Sequence, residues 1–299
     1  MTRSLWWALA ALALAAGLRY IVRFPWADTW VTLTSADWRL LAWASCANLL
    51  SLACKAWGWH LLLPAPSAAR MRTTQAATFA GAAVGSFSVA MSGEATRMHL
   101  LSTWDGVEPA TAARTIAASR VVEAGALGVF LLAFAAGTSA TLGWQAIAGA
   151  VALTAAALVL LRRVPWLRPA DPSGAGRLGW SDGRLLAALA FGMAGWTLQW
   201  ATYHWSIAAT HAAVTPSASM LALLLSNLGG ILRLTPGNVG VVQGAVALGL
   251  APAGVPVGRA VAAGLALQAV EVVPVLLIGL LILGRHGMRV PLRRAAEPA

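Results

Sequence analysis

Six ionisable side chains interrupt otherwise apolar stretches of the chain: Glu94, Arg97, Arg120, Glu123, Arg233 and Glu271. Lys55 stands in another apolar stretch, nearer its polar end. An unpaired charge in such surroundings costs on the order of 2.5–3.5 kcal/mol by insertion scales unless it is paired or wetted. The six balance, three positive against three negative. Glu94 and Arg97 are three residues apart, as are Arg120 and Glu123, so each pair shares a helical face. Such pairs either neutralise one another and hold helices together, or present a polar surface to a ligand. Arginine directs the second reading to an anion, because its planar fork bonds two phosphate oxygens and stays charged when buried. The carboxylates would then keep the empty site near neutral. Thr235-Pro-Gly-Asn-Val-Gly240 adds unpaired peptide groups, and a helix starting after it would turn its positive end toward an anion. A plain helical turn is the other reading of that segment. The expected anion site therefore comprises Arg97, Arg120 and Arg233, positioned by Glu94, Glu123 and Glu271, with Asn238 and Gln243 from the broken segment.

Signals for covalent chemistry are thin. His60, His99, His204, His211 and His286 have no metal-ligand spacing and read as interfacial. Ser92-Gly93-Glu94 is no nucleophile elbow, and neither a phosphate-binding loop nor a dinucleotide fingerprint is present. No catalytic residue, metal or cofactor is expected.

The elements that must position these residues are long apolar helices. Of 299 residues, 59% are hydrophobic and 10% charged, against about 25% charged in an average soluble domain. Spans are expected near 4–24, 37–63, 109–136, 139–161, 184–209 and 256–284. The run at 4–24 also resembles a signal peptide; a first span is favoured because the rest is already polytopic. Two further blocks are broken, 73–103 around Ser92-Gly93-Glu94 and 217–250 at Thr235-Pro-Gly-Asn238. Short apolar pieces interrupted by Gly and Pro read as re-entrant helices. Gly81-x-x-x-Gly85 and Gly240-x-x-x-Gly244 are weak signals of close helix contact.

The formal net charge of +11 sits in short segments beside apolar blocks, Arg162–Arg184 and Arg285–Arg294 among them. That pattern fits anchoring at an anionic cytoplasmic leaflet and argues against nucleic acid as a partner. Both segments fall on the cytoplasmic side only if 217–250 enters and leaves on one face; reading 73–103 the same way also places Arg70, Arg72 and Arg3 inside. The expectation is a bacterial cytoplasmic (inner) membrane protein with both termini inside and 25–36 as an outer loop. Trp26, Trp30 and Trp38 would form an outer aromatic belt, and Trp57, Trp59, Trp166 and Trp180 an inner one. Cys46 and Cys54, about 12 Å apart along one helix, are too far apart for a disulfide.

An internal repeat underlies this order. Asp37-Trp-Arg39-Leu-Leu-Ala recurs as Asp182-Gly-Arg184-Leu-Leu-Ala, 145 positions later. Gly106-Val107 returns as Gly254-Val255, and Arg120-Val-Val-Glu123 as Gln268-Ala-Val-Glu271, both at 148. Three spans separate the two starts, so the halves, about 36–136 and 181–284, should be inverted within a single membrane domain covering 1–299. The expected fold is all-α and polytopic, with about six full spans plus two re-entrant hairpins, an architecture shared by many transporters.

Gly93-Glu94-Ala-Thr-Arg97, Arg120-Val-Val-Glu123 and Pro236-Gly-Asn-Val-Gly240-Val-Val-Gln243-Gly244 together resemble the lysylphosphatidylglycerol synthase transmembrane-region family, also called flippase-like domain proteins. The resemblance covers roughly residues 36–284. Two departures stand out. The family usually has Glu where this chain has Gln243, and a Pro shortly before Gly-Glu that is missing here. The resemblance implies a stand-alone lipid-handling membrane domain, without the soluble aminoacyl-transferase domain of fused members and without their transfer activity. It implies passage of an anionic lipid (phospholipid or polyprenyl-phosphate-linked) through a polar cavity. Two other readings stay open: a scaffold for lipid-synthesis enzymes, and a membrane enzyme acting on a lipid-linked substrate. The substrate lipid, energy source and oligomeric state have no signature in the sequence.

Overall fold

Every regular element among the described residues is helical. A computed structural model describes residues 24–64, 69–87, 91–138, 143–164, 180–212, 214–232 and 235–286. Arg233, Trp166 and nearly all of the expected first span at 4–24 lie outside them. So do most of Arg162–Arg184 and the tail from 287.

The chain runs through α1 (Trp26–Thr34), α2 (Trp38–Leu62), α3 (Met71–Gly85), α4 (Ser92–Asp105), α5 (Pro109–Thr138), α6 (Gly143–Arg163), α7 (Asp182–Ala208), α8 (Pro216–Leu232), α9 (Val241–Leu250) and α10 (Val257–His286). Helices α2, α5 and α10 each carry a stretch long and apolar enough to cross a bilayer. Helices α6 and α7, at 21 and 27 residues, also reach the roughly 20 residues that a crossing needs. Residues 25–36 are not a plain loop. They contain α1, tied to α10 by the Thr29 hydroxyl, which donates to the Gly258 carbonyl at 3.1 Å.

Each broken block is two short helices packed side by side. Helices α3, α4, α8 and α9 have 15, 14, 17 and 10 residues. At 1.5 Å per residue they span about 15–26 Å, less than the ~30 Å hydrocarbon core. The first break precedes Ser92 rather than surrounding it, since Ser92, Gly93 and Glu94 form the first turn of α4. The second holds a 3-10 turn at Pro236–Asn238, as the Pro-Gly pair suggests. Asp105 closes the base of the α3–α4 hairpin: its carboxylate accepts from the Arg70 backbone N–H at 2.7 Å and from the guanidinium at 3.0 and 3.1 Å.

Of the repeated sequence features, Gly106 and Gly254 end helices alike, whereas Asp37 is a helix cap and its counterpart Asp182 lies inside the first turn of α7. Gly106 and Gly254 end the two hairpins with φ of +67° and +70°, a left-handed turn that glycine adopts without a Cβ clash. Asp37 caps α2 and Ser181 caps α7, each accepting from an N–H of the first turn. Helices α2 and α7 then pack along most of their length, more extensively than any other pair. The Thr202 hydroxyl donates to the Ala44 carbonyl, and that of Ser51 to the Gly195 carbonyl at 2.8 Å; Gly58 lies against the Ala188 carbonyl. These contacts advance in steps of seven residues up α2 and down α7, so the two helices are antiparallel. Small residues and hydroxyls at the seam suit a medium in which apolar side chains gain little by leaving lipid for protein.

Candidate functional site

The α3–α4 hairpin brings Glu94 and Arg97 inward because its helices touch backbone to backbone. A Cβ on Gly93 would stand 2.6 Å from the Gly81 carbonyl oxygen, and one on Gly81 would stand 2.7 Å from that of Gly93. Gly85 is part of the same contact, so Gly81-x-x-x-Gly85 is a contact surface. Gly240 and Gly244 meet nothing within 4 Å; there the pattern carries no contact.

One turn beyond Gly93, Arg97 crosses over Gly81 and is only 6% exposed. Its guanidinium lies 5.1 Å from the centre of the Trp59 ring, a cation–π contact. Trp59 is fixed by its indole N–H on Thr115 at 3.2 Å. Trp59 is thus a buried platform rather than part of an aromatic belt. Trp180 is buried too, donating to the Leu62 carbonyl at 2.8 Å. Trp26, Trp30 and Trp38 are exposed.

Arg120 on α5 joins two carboxylates, Glu94 at 2.7 Å and Glu123 at 2.9 Å. An apolar swap of Arg120 and Glu123 together would therefore also remove the Arg120 partner of Glu94. Arg97 has no carboxylate within ion-pair distance among the described residues.

Helix α10 supplies Glu271 beside a break in its own hydrogen bonding. Pro274 has no N–H for the carbonyl four residues back, that of Val270. The Asn48 amide donates to that carbonyl at 3.3 Å and to the Glu271 carbonyl at 3.2 Å. The Glu271 carboxylate accepts from the Gln199 amide at 2.7 Å, and Gln199 in turn accepts from Ser51 at 3.1 Å.

The tip of the α8–α9 hairpin is braced from α10. Gln268 donates to the Gly237 carbonyl at 2.7 Å and accepts from Gln243. Gln243 also accepts from the Gly240 N–H at 2.7 Å, capping α9. Both ends of the Gln243 amide are thus spent inside the protein, and it borders neither cavity lobe described below. Gln243, expected from the sequence as a ligand contact, is here a brace between Gly240 and Gln268. Asn238, with φ of +54°, does face the cavity, and asparagine tolerates that conformation better than most residues. The two hairpin tips meet: a Cβ on Gly237 would come 2.7 Å from the Ser86 carbonyl.

These groups surround a polar cavity of two adjoining lobes, about 370 and 540 Å³, that share Lys55, Glu94, Arg120, Asn238 and Glu271. Arg97 borders the first; Gln199, Tyr203 and Asn227 border the second. Glu123 stands behind, lining a small pocket with Lys55. The Lys55 ammonium is 5.1 Å from the Trp196 ring centre, because α7 packs over it. Asn48 and Gln199 were overlooked; uncharged amides inside apolar helices were the signal.

Long apolar helices wrapped around a charged interior cavity define a polytopic helical membrane protein. The chain belongs to the family described as the lysylphosphatidylglycerol synthase TM region, whose family model matches residues 7–279. It is accordingly a membrane domain of a family linked to lipid handling. Comparison with curated proteins finds no match.

Proposed function

We propose that this chain binds an anionic lipid by its headgroup and passes that headgroup across the bilayer through the two-lobed cavity. The observation that carries the reading is the cavity itself, whose Lys55 and Arg97 have no ion-pair partner among the described residues. Each of these cations rests on an indole face, which holds it in place and leaves its hydrogen-bond donors for phosphate oxygens. Lipid tails stay in the bilayer while the headgroup traverses the polar path, so only the headgroup must exchange water for protein. No bond is made or broken; the chain acts as a transporter rather than an enzyme.

The architecture supports that reading in a particular form. About six spans and two re-entrant hairpins compose an inverted repeat, with the antiparallel α2–α7 seam near its pseudo-two-fold axis and the hairpin tips near mid-membrane. The membrane is the bacterial inner membrane, with both termini and 162–184 cytoplasmic. Cysteine labelling tests the orientation: with Cys46 and Cys54 replaced by alanine, Ala175→Cys should react only from the cytoplasmic side. Labelling of that position from outside overturns the topology and the inverted repeat with it.

Proteoliposomes carrying a fluorescent phosphatidylglycerol test the function. Reagent added outside should bleach the inner-leaflet label as well, because the protein carries it outward. Bleaching that stops at the outer leaflet, with lipid still bound to the purified protein, would favour a scaffold that holds lipid for synthesis enzymes.

A further inference from the structure

The three cavity-side carboxylates are not equivalent. Glu94 and Glu123 each bond Arg120, at 2.7 and 2.9 Å. Glu271 makes no ion pair among the described residues, and its carboxylate is held instead by the neutral amide of Gln199 at 2.7 Å. Ser51 donates to the amide oxygen of Gln199, which turns its NH₂ toward Glu271. That NH₂ donates equally well to a carboxylate or to the carbonyl oxygen of a carboxylic acid, so the bond survives a change of protonation. Glu271 borders both lobes, where water and ligand would reach it.

Resting on the headgroup reading above, we propose that Glu271 is a proton site coupled to the anion site: it takes up one proton as the anionic headgroup enters and releases it as the headgroup leaves. The proton comes from water, adds to one Glu271 carboxylate oxygen, and returns to water on exit; no other bond changes. Charge balance drives the coupling. Among the described residues, with Glu271 ionised, Lys55, Arg97 and Arg120 offset Glu94 and Glu271 at the cavity wall together with Glu123 behind it on Arg120, and a phosphodiester adds a further negative charge to a poorly solvated space. Protonating Glu271 restores the balance. By reciprocity, the proton then tightens anion binding by the same factor as the anion tightens proton binding.

The charged or titratable groups that share this cavity with Glu271 are Lys55 on α2, Glu94 and Arg97 on the α3–α4 hairpin, Arg120 on α5 and Tyr203 on α7. The described cavity-lining residues of α8, the 236–238 turn and α9 present Ser226, Asn227, Asn238 and apolar groups, none titratable. Arg97 and Arg120 keep their charge at any working pH, and Glu94 is tied to Arg120. Lys55 is the competing candidate, so the test includes Lys55→Arg, which retains the positive charge at every pH used.

The full chain in lipid nanodiscs is titrated with dihexanoyl phosphatidylglycerol, a water-soluble anionic lipid, in weakly buffered medium with a pH-indicator dye. Its deacylated glycerophosphodiester is run in parallel. About one proton should be taken up per lipid bound, and affinity should rise about tenfold from about pH 8 to about pH 5, within the usual range of coupling between sites. Uptake with both probes supports the site with the phosphodiester as the recognised group; uptake with the lipid alone supports it with the acyl chains required. Glu271→Gln should abolish uptake and hold affinity at its acid value at every pH, while Lys55→Arg should keep the pH dependence. Lipid binding with no proton uptake and no pH dependence overturns the coupling and leaves the headgroup reading standing. No binding of the lipid at any pH overturns the headgroup reading itself.

Discussion

Replacing Arg97 by alanine should stop headgroup translocation while the protein still inserts and folds. Arg97 is the buried cation of the first lobe that no carboxylate engages among the described residues. A charge-assisted hydrogen bond contributes about 1.5–3 kcal/mol, and a guanidinium makes two to a phosphate, so losing both slows passage by at least ~100-fold. The loss of one positive charge also removes the excess of cations over carboxylates among the described cavity-lining residues, which weakens attraction for the anion further. Folding is spared because Arg97 contributes neither an ion pair nor a helix cap; its removal leaves Trp59 bonded to Thr115. Arg97→Lys keeps the charge but loses the fork and the flat stacking face, and should fall between parent and alanine. Translocation in proteoliposomes, with insertion checked by size-exclusion profile, measures this. Parental rates in well-folded Arg97→Ala would leave Arg97 as no more than helix glue.

The second large effect is on the hairpin that carries Arg97. Gly93→Ala places a methyl group 2.6 Å from the Gly81 carbonyl oxygen, well inside van der Waals contact, and the obstacle is backbone rather than a movable side chain. The helices must separate, at about 3 kcal/mol by analogy with overpacked cores. The thermal midpoint in detergent should fall by several degrees, and translocation with it, because Glu94 and Arg97 ride on the displaced helix. Gly244→Ala is the control from the same sequence pattern. Nothing stands within 4 Å of its new methyl group, and alanine favours a helix by up to ~1 kcal/mol over glycine, so stability there should hold or rise. Equal midpoints for Gly93→Ala and the parent would show that the close approach of α3 and α4 is not needed.

The sequence alone determined the all-helical membrane character, the positions of the long helices and the existence of both breaks. Those features are local. A backbone in lipid must satisfy its own hydrogen bonds, so apolar length implies helix, and Pro236-Gly237 cannot continue one. The candidate charges were legible for the same reason: Glu94, Arg97, Arg120, Glu123 and Glu271 are conspicuous wherever apolar residues surround them. Which charge answers which was a tertiary matter. Arg120 pairs with Glu123 three residues along its own helix, as spacing alone suggests, but it also reaches Glu94 on a different helix. Lys55 stands alone in its stretch of α2, and only the antiparallel packing of α7 put Trp196 beneath it. Gln243 looked like a ligand contact from its place after Pro-Gly, yet Gly240 and Gln268 take up its amide. Asn48 and Gln199 are marked locally only as uncharged amides inside apolar helices, a signal that does not name their partners. Their roles exist only because Pro274 frees a carbonyl and α2, α7 and α10 converge on it. Side-chain hydrogen bonds join residues far apart in sequence, so their partners follow from how the helices pack.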